Sequence, residues 1–356
     1  MPVEPVEDLS IYLLTGRVTA AERPGYTWVG RGIDDAVDAE RLGFSRVWLS
    51  ERYDLKDAGA LLGGVAARTT RLGVGTGALS VTSRNPVVTA SLGSTMHGLY
   101  GPRFTLGLGR GVPMLDMPEC RLADLVAYAR AVAGIWRGET VTYEAFGRPP
   151  VRLKALDVLD GIAPPRMWYC TYGGPKAAQA AADPAFDGVM LYPALTVDAV
   201  AAAVERIRSA CERSGRDPAS LRICHPIVVA ADLDDVTTRS YAHARLLTYL
   251  EWPGHGETVI RANGWDPGQL TKVRGHDLMR AMNDRNADQS YHRAELLRAT
   301  EVLPDELVGT VAAIGSTQHC VDTVRRFRAA GVDEIAVYGS TPAENESVVK
   351  TWRETA

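Results

Sequence analysis

Charged side chains follow the second predicted strand of the chain, in the run RVWLSERYD. Glu51 and Arg52 come directly after this strand, at the strand end where parallel α/β folds carry their catalytic groups. A carboxylate beside a guanidinium is suited to proton transfer or to stabilising charge near a cofactor ring. The same pair is also compatible with a structural ion pair that closes the strand end. We take Glu51 and Arg52 as the candidate catalytic residues, with both interpretations open.

Glycines interrupt the next two predicted strands. In LGVGTGALSVTSRNP they lie inside an otherwise buried strand, where they permit a backbone bulge and the close approach of a flat ring. In RFTLGLGRG the strand ends in Gly109, Arg110 and Gly111, which leaves room beside a cofactor and places a cation at the strand end. Taken alone, the second run is equally compatible with a tight turn.

The run MWYCTYGGPKAAQAA predicts an anion-binding loop. A strand leads through Tyr172, Gly173, Gly174 and Pro175 into a helix, and the first backbone amides of a helix have no partner within it. Proline at a helix start removes no needed donor, while the glycines let a phosphate approach the backbone. No Walker lysine-serine pair follows, so an NTPase loop is not indicated. We predict phosphate binding here in preference to a plain turn.

Eight short apolar runs, bounded by Gly, Pro or charge, predict strands that are buried on both faces. Named by their first residues, these runs are LSIYLL (Leu9), VWLS (Val47), LGVGTGAL (Leu72), FTLGLG (Phe104), MWYC (Met167), GVMLY (Gly188), ICHPIVVA (Ile223) and EIAVYG (Glu334). Segments with helical spacing lie between them, so strand and helix alternate. This pattern predicts an α/β protein with a (β/α)8 TIM barrel. An open doubly wound sheet is the alternative, but its G-x-G-x-x-G motif is missing after the first strand.

Two stretches exceed ordinary loops within what we predict to be a single domain covering residues 1–356. They lie near residues 137–165 and 251–310. Because barrel active sites lie at the C-terminal face of the strands, we expect insertions at that face to form lids or substrate walls. Packing or oligomer contacts are the alternative. Gly43 and Gly331 stand where two helices are expected to end in a left-handed residue.

Composition and charge argue against several classes of protein. A net charge of -4 provides no basic field for nucleic acid. No apolar run is long enough to span a bilayer, and the start MPVEPVEDLS does not resemble a signal peptide, so we expect a cytoplasmic protein. The five cysteines contain no C-x-x-C pair and the seven histidines no H-E-x-x-H motif, which predicts reduced core thiols and no metal site.

In this order and spacing, the four chemistry-bearing runs resemble the luciferase-like oxidoreductase superfamily, and within it the branch that uses the deazaflavin coenzyme F420. The resemblance covers nearly the whole chain. Its most specific part runs from AERLGFSRVWLSER through AARTTRLGVGTGALSVTSRNPVVTASLGSTMHGLYGPRFTLGLGRG, followed by the YGGP loop and the ending AAIGSTQHCVDTVRRFRAAGVDEI. It implies a barrel with the deazaflavin lying across the strand ends.

The resemblance also implies which residues meet the cofactor. A non-prolyl cis peptide is expected in the third-strand bulge, best matched to Gly77 and Ala78. Gly173 and Gly174 match the loop that meets the cofactor phosphate. The full set of expected cofactor-binding residues is Thr76, Gly77, Ala78, Leu79, Arg110, Tyr172, Gly173 and Gly174.

The implied activity is hydride transfer between F420 and a small organic substrate, in a homodimer. Sugar-phosphate dehydrogenases of this branch carry an acid-histidine pair after strand two and a glutamate after strand four. This chain has Glu51-Arg52 and Gly111-Val112 there, so we expect a different substrate and reduction of an activated double bond or imine.

Two other functions remain open at this point. One is an FMN-dependent luciferase-like monooxygenase on the same barrel, because FMN also carries a phosphate for the loop. The other is a barrel that binds a cofactor without catalysis. Tyr53, His255 and His276 are the alternatives to Glu51 and Arg52 for the catalytic role.

Overall fold

The computed structural model describes residues 4–15, 27–51, 56–111, 117–158, 161–282 and 286–354. The strands are β1 (Leu9–Tyr12), β2 (Arg46–Leu49), β3 (Gly73–Thr76), β4 (Leu79–Ser80), β5 (Phe104–Gly109), β6 (Val141–Tyr143), β7 (Val151–Leu153), β8 (Arg166–Thr171), β9 (Gly188–Leu191), β10 (Arg222–Ala231), β11 (Ala312–Gly315) and β12 (Glu334–Tyr338).

The α-helices are α1 (Thr27–Leu42), α2 (Ala58–Arg68), α3 (Pro86–Tyr100), α4 (Leu122–Trp136), α5 (Pro175–Ala181), α6 (Val197–Arg213), α7 (Asp235–Thr238), α8 (Ala244–Leu250), α9 (His255–Asn263), α10 (Gly268–Gly275), α11 (Asp277–Arg280), α12 (Ala287–Ser290), α13 (Arg293–Leu296), α14 (Asp305–Gly309), α15 (Thr317–Ala329) and α16 (Glu346–Glu354). A π-helical turn (Arg239–His243) joins α7 to α8. Short 3-10 helices cover Pro218–Ser220, Leu297–Val302 and Ala343–Asn345.

The predicted (β/α)8 barrel is confirmed. Its eight parallel strands are β1, β2, β3, β5, β8, β9, β10 and β12, and each corresponds to one of the eight apolar runs. Helices cover these strands from outside, so both faces are buried. Every residue of β5 is buried, for example. This two-sided burial explains why the strands appear in the sequence as nearly continuous apolar runs.

The described residues form two compact units. In the first, made of Met1–Phe44, Tyr192–Val204 and His225–Ala356, β1 pairs in parallel with β12 and the end of β10 with β11. In the second, made of Ser45–Leu191 and Glu205–Cys224, the strands pair in the order β2, β3, β5, β8 and β9, and β9 pairs with the start of β10.

Two tryptophans fill the core of the second unit, each covering a glycine on the neighbouring strand. Trp48 lies opposite Gly75 and Trp168 opposite Gly188 in the strand register, and a Cβ at either glycine would overlap the facing indole. The two indole rings lie 5.1 Å apart. The Arg46 guanidinium is 5.0 Å from the Trp48 ring. Glycine is therefore required at both positions because the space of a side chain is already filled.

Local signals in the sequence account for several helix ends. Asn85 caps α3 by accepting a hydrogen bond from the amide of Val87 at 2.9 Å, and Pro86 follows as the first helical residue. Gly43 and Gly331, which were expected to end helices, have φ values of +88° and +97°. Both predictions of a positive φ are confirmed.

The two insertions differ in where they enter the barrel. The insertion near 137–165 connects α4 to β8 and contains an antiparallel hairpin of β6 and β7. It therefore enters at the N-terminal end of β8. The expectation that this insertion lies at the C-terminal face of the strands was wrong, because it follows a helix and not a strand. The insertion near 251–310 follows β10 and is mostly helical, as expected for a segment at that face. The single-domain boundary of 1–356 remains a prediction.

The chemistry of the cysteines matches the expectation of reduced core thiols. All five are free and buried, and burial raises the pKa of the Cys170 and Cys320 thiols to about 12. Among the residues that the structure describes, no cluster of His, Cys, Asp and Glu could hold a metal ion. In the same ranges, no helix has both the length and the apolar character needed to cross a membrane.

Candidate active site

The backbone bulges between β3 and β4, and the peptide bond between Gly77 and Ala78 is cis, which confirms the prediction for this position. The end of β2 holds both carbonyls of the bulge. The Ser50 hydroxyl donates to the Gly77 oxygen at 2.7 Å, and the Glu51 amide donates to the Ala78 oxygen at 3.1 Å. The bulge is thus a fixed backbone surface at the ends of β2 and β3.

Thr76 and Leu79 flank the bulge, but their side chains point into the protein. The Thr76 hydroxyl donates to the Gly107 carbonyl and accepts from the Gly107 amide, both at 2.8 Å. Thr76 and Leu79 are each 0% exposed. Any contact of these two residues with a bound ring therefore has to involve their backbone atoms.

Glu51 is held by an arginine that the sequence analysis did not single out. Its carboxylate lies 2.5 Å from the Arg84 guanidinium and accepts a hydrogen bond from Ser83 at 3.3 Å. Arg84 also binds Asp57 at 2.5 Å. Its pKa is raised, because the bonds to Glu51 and Asp57 outweigh burial, which acts to lower it. Arg52 and Tyr53 lie outside the described residues, so the predicted Glu51–Arg52 pair remains a prediction.

The hydroxyl groups of Ser80, in β4, and of Thr82, just after it, lie next to the end of β5. Gly111 has a φ of +75°, and a Cβ there would overlap the Ser80 hydroxyl. Ser80 and Thr82 hydrogen bond at 2.8 Å. Arg110 is exposed. Burial raises the pKa of the neighbouring Tyr169, while the positive charge of Arg110 opposes this increase. The end of β5 therefore presents a cation and hydroxyl groups with no bulky side chain at Gly111.

The predicted phosphate loop connects β8 to α5. Gly173 has a φ of +67° and its amide donates to the Thr171 hydroxyl at 3.2 Å. The Arg206 side chain donates to the Gly173 carbonyl at 3.0 Å. A Cβ built on Gly174 would meet nothing within 4 Å. The loop is therefore rigid at Gly173 and open at Gly174.

The structure brings most of the predicted residues to the ends of consecutive strands of the second unit. Glu51 follows β2, the Thr76–Leu79 bulge joins β3 to β4, Arg110 follows β5, and Tyr172 with the two glycines follows β8. Because these strands are parallel, their C-terminal ends lie at one face. This face is the candidate active site.

The two alternative histidines have other contacts. His276 caps α11, where its Nδ1 accepts a hydrogen bond from the Leu278 amide at 3.2 Å. His255 stacks on Trp252 with ring centroids 5.0 Å apart. Neither contact calls for a catalytic role.

Sequence reasoning missed three residues that shape the site. Ser83 and Arg84 follow the glycine-interrupted strand directly, so that run already contained them, but nothing in it pointed to Glu51 as their partner. Arg206 lies on α6, far from the loop in sequence. Its contact with Gly173 depends on the tertiary fold and has no local signal.

A model of the luciferase-like monooxygenase family matches residues 12–334 of the chain. The chain belongs to this family. It is therefore an enzyme of the luciferase-like class, and the match covers nearly the whole chain.

Individual proteins agree with this assignment. The 5,10-methylenetetrahydromethanopterin reductase of Methanolobus tindarius is 26% identical over 67% of this chain and 72% of that protein. An F420-dependent glucose-6-phosphate dehydrogenase of Nakamurella multipartita is 31% identical over 56% of this chain and 63% of its own length.

Among solved structures, the coenzyme F420 dependent tetrahydromethanopterin reductase of Methanopyrus kandleri has a TM-score of 0.71 at 18% identity. The match covers 98% of both chains. At this identity the likeness shows the common barrel fold.

Proposed function

We propose that this enzyme is a coenzyme F420-dependent oxidoreductase that transfers hydride between the deazaflavin and a small organic substrate. The observation that carries the proposal is the similarity to an F420-dependent dehydrogenase, combined with the bulge and the open glycine loop at one strand face. The two relatives described above are named as a reductase and a dehydrogenase.

The residues present fit a flat cofactor with a phosphate. At Gly174 the structure leaves open space where any other residue would place a side chain, so an anion can approach the loop backbone. A side chain at Gly111 would overlap the buried Ser80 hydroxyl, so the end of β5 stays free of side-chain bulk at this position. Arg110, exposed at the end of β5, supplies a positive charge for an anionic ring or phosphate.

Bound F420 supplies a ring carbon that accepts or donates hydride. The residues of the chain then act mainly by positioning. The Thr76–Leu79 backbone would support the ring, and Tyr172, Gly173 and Gly174 would hold the phosphate. Catalysis by such positioning requires that the reacting atoms be held close and aligned.

Glu51 takes an electrostatic role in this proposal. Its side chain is 4% exposed and is bound by Arg84, so it orients neighbouring groups and sets the local charge. Arg52, as a permanent cation, is suited to stabilise negative charge that develops on a substrate oxygen or on the reduced ring. Both roles remain proposals for these residues.

The substrate is proposed to differ from a sugar phosphate. In the sequence, Glu51-Arg52 and Gly111-Val112 stand where sugar-phosphate dehydrogenases of this branch carry an acid-histidine pair and a glutamate. Without those groups, reduction of an activated double bond or imine is the better-matched reaction.

An FMN-dependent monooxygenase is the second candidate, because the matched family is described as luciferase-like monooxygenases. A barrel that binds the cofactor without catalysis is the third. We further propose a homodimer in the cytoplasm. Val88 and Leu99 on α3 are 52% and 67% exposed, and a second copy would cover such apolar side chains.

Absorbance and fluorescence titration of the purified protein with F420 and with FMN tests the proposal. We expect F420 to bind more tightly. Tighter binding of FMN would favour the monooxygenase, and F420 binding without turnover across a panel of activated alkenes and imines would favour the non-catalytic barrel.

Gly174→Val provides a matched variant for this titration. Gly174 has a φ of -65°, which valine can adopt, and a Cβ at this position meets no protein atom within 4 Å. The melting temperature of the variant should therefore stay within about 2 °C of wild type. F420 affinity should fall, because the side chain blocks the phosphate. Unchanged affinity would place the phosphate elsewhere.

A further inference from the structure

An arginine lies between two tyrosine rings at the end of β12. The guanidinium carbon of Arg245, on α8, is 5.0 Å from the ring centroid of Tyr338 and 5.9 Å from that of Tyr249. Tyr338 is the last residue of β12, and Tyr12, the last of β1, meets it edge-on at 4.9 Å. Arg245 is therefore held at the C-terminal ends of two barrel strands, where barrel active sites form.

Two arginines share one carboxylate beside these rings. Asp288 binds Arg245 at 3.0 Å through one oxygen and Arg293 at 2.7 Å through the other. Arg293 is 3% exposed and also donates to the Ala244 carbonyl. Its pKa is lowered to about 10, first because of burial and then because Arg245 repels its charge. In this cluster of described residues, two arginines face one aspartate, so the three side chains together carry a positive net charge.

Arg245 keeps most of its hydrogen-bonding capacity unused. A guanidinium has five N–H donors, and within the described ranges only Nη1 of Arg245 reaches an acceptor, on Asp288. The side chain is 15% exposed, and its other nitrogens are not among the buried atoms that lack a partner. The Tyr338 hydroxyl likewise has no hydrogen-bond partner in that part of the chain. These donors face accessible space.

The segment before Arg245 is firmly held. The π-helical turn Arg239–His243 precedes α8, and Asp305 binds both Arg239 at 3.0 Å and His243 at 2.8 Å. Such turns are rare and frequently occur at functional sites. The turn fixes the start of α8 and with it the position of Arg245.

We propose that Arg245 and Tyr338 bind the negatively charged group, a carboxylate or phosphate ester, of a small organic ligand. The planar guanidinium fork matches both groups in two-point hydrogen bonds, and the tyrosine rings hold it in place from the sides. This inference does not depend on the proposed function, because the anion site lies wholly within the first unit. A purely structural role of Arg245 would leave anion binding independent of it.

Calorimetric titration of the full-length protein with benzoate, phenyl phosphate and neutral benzamide tests the inference, with and without F420. Benzoate or phenyl phosphate should bind at least about 10-fold more tightly than benzamide, since a hydrogen-bonded charge is worth roughly this factor or more. The stronger of the two anions identifies the preferred group. Equal binding of the anions and benzamide would overturn the inference.

Arg245→Met should weaken binding of the preferred anion by roughly 10- to 100-fold and leave benzamide unchanged. Arg261→Met is the matched control, because it removes an exposed arginine on α9 and leaves the segment before Arg245 intact; it should bind the anion as wild type does. Equal loss in both variants, or none in Arg245→Met, would contradict the inference.

Arg245→Lys covers the case in which Arg245→Met fails to fold. Lysine retains the charge for Asp288 but lacks the planar fork, so it should fold and still bind the anion several-fold more weakly. Wild-type affinity in this variant would contradict two-point binding. F420 affinity should be the same in wild type and all three variants. If the wild-type protein binds the anion but does not bind F420, the proposed function is refuted and the anion site is not.

Discussion

Removal of the Arg84 guanidinium provides a sensitive test of how the candidate active site is built. The Glu51 side chain is 4% exposed and lies 2.5 Å from Arg84, whereas the Asp57 side chain at the same distance is 53% exposed. Arg84→Met leaves the Glu51 charge buried without this partner, which costs roughly 3–5 kcal/mol. The exposed contact with Asp57 contributes only about 0–1 kcal/mol.

Asp57→Asn is the matched control for this variant. Asp57 caps α2 by accepting a hydrogen bond from the Ala60 amide at 2.7 Å, and asparagine caps a helix equally well. The control therefore removes the negative charge that Asp57 presents to Arg84 without removing the cap, and should cost no more than about 1 kcal/mol.

Urea denaturation at pH 7 measures both changes as free energies of unfolding. The double variant Glu51→Gln/Arg84→Met, which lacks both charges, should be more stable than Arg84→Met alone. If Arg84→Met lies within 1 kcal/mol of wild type, or if the double variant shows no recovery, Glu51 is not a buried charge that depends on Arg84.

Two further predictions concern the packing around the barrel strands. Burial lowers the pKa of His225 to about 3, from an ordinary value of 6.5. Because the unfolded chain takes up this proton at a higher pH than the folded protein does, stability is lost as the pH falls from 6.5 towards 3, by about 2 kcal/mol at pH 5. His225→Leu should abolish this part of the acid sensitivity in urea denaturation at pH 8 and pH 5, and an unchanged pH dependence would show that His225 does not stay neutral. Gly188→Ala places a Cβ against the Trp168 indole and should lower the free energy of unfolding by roughly 1–3 kcal/mol. The control Gly174→Ala, whose Cβ meets no atom within 4 Å, should change the free energy of unfolding by less than about 0.5 kcal/mol; equal effects would mean that packing does not require glycine at position 188.

The strands of the barrel were predictable because burial on both faces leaves a direct trace in the sequence. The runs at Leu9 and Phe104 are apolar or small throughout, and both are fully buried strands. Strand β11 was missed although its four residues, Ala312–Gly315, are also apolar or small, because the strand is short and its last two residues are half-buried and exposed. Among the described strands it pairs with the far end of β10. The β6–β7 hairpin was missed because it lies in a Gly- and Pro-rich stretch and none of its six residues is buried.

The candidate site was predictable where the backbone decides it and less so where side chains from distant elements meet. The Gly77–Ala78 cis bond followed from the family resemblance. The partner of Glu51 did not, because Arg84 lies 33 residues away and reaches it only in the folded barrel. The hydroxyl of Thr76 is likewise used by Gly107, on another strand.

The central claim is that F420 binds at the strand ends of the second unit, and a crystal structure of the complex with F420 tests it most directly. The cofactor phosphate should lie within hydrogen-bond distance of backbone amides of the Gly173–Gly174 loop, with the ring against the backbone of Thr76–Leu79. A complex with the phosphate at another loop, or with the ring away from this bulge, would contradict it.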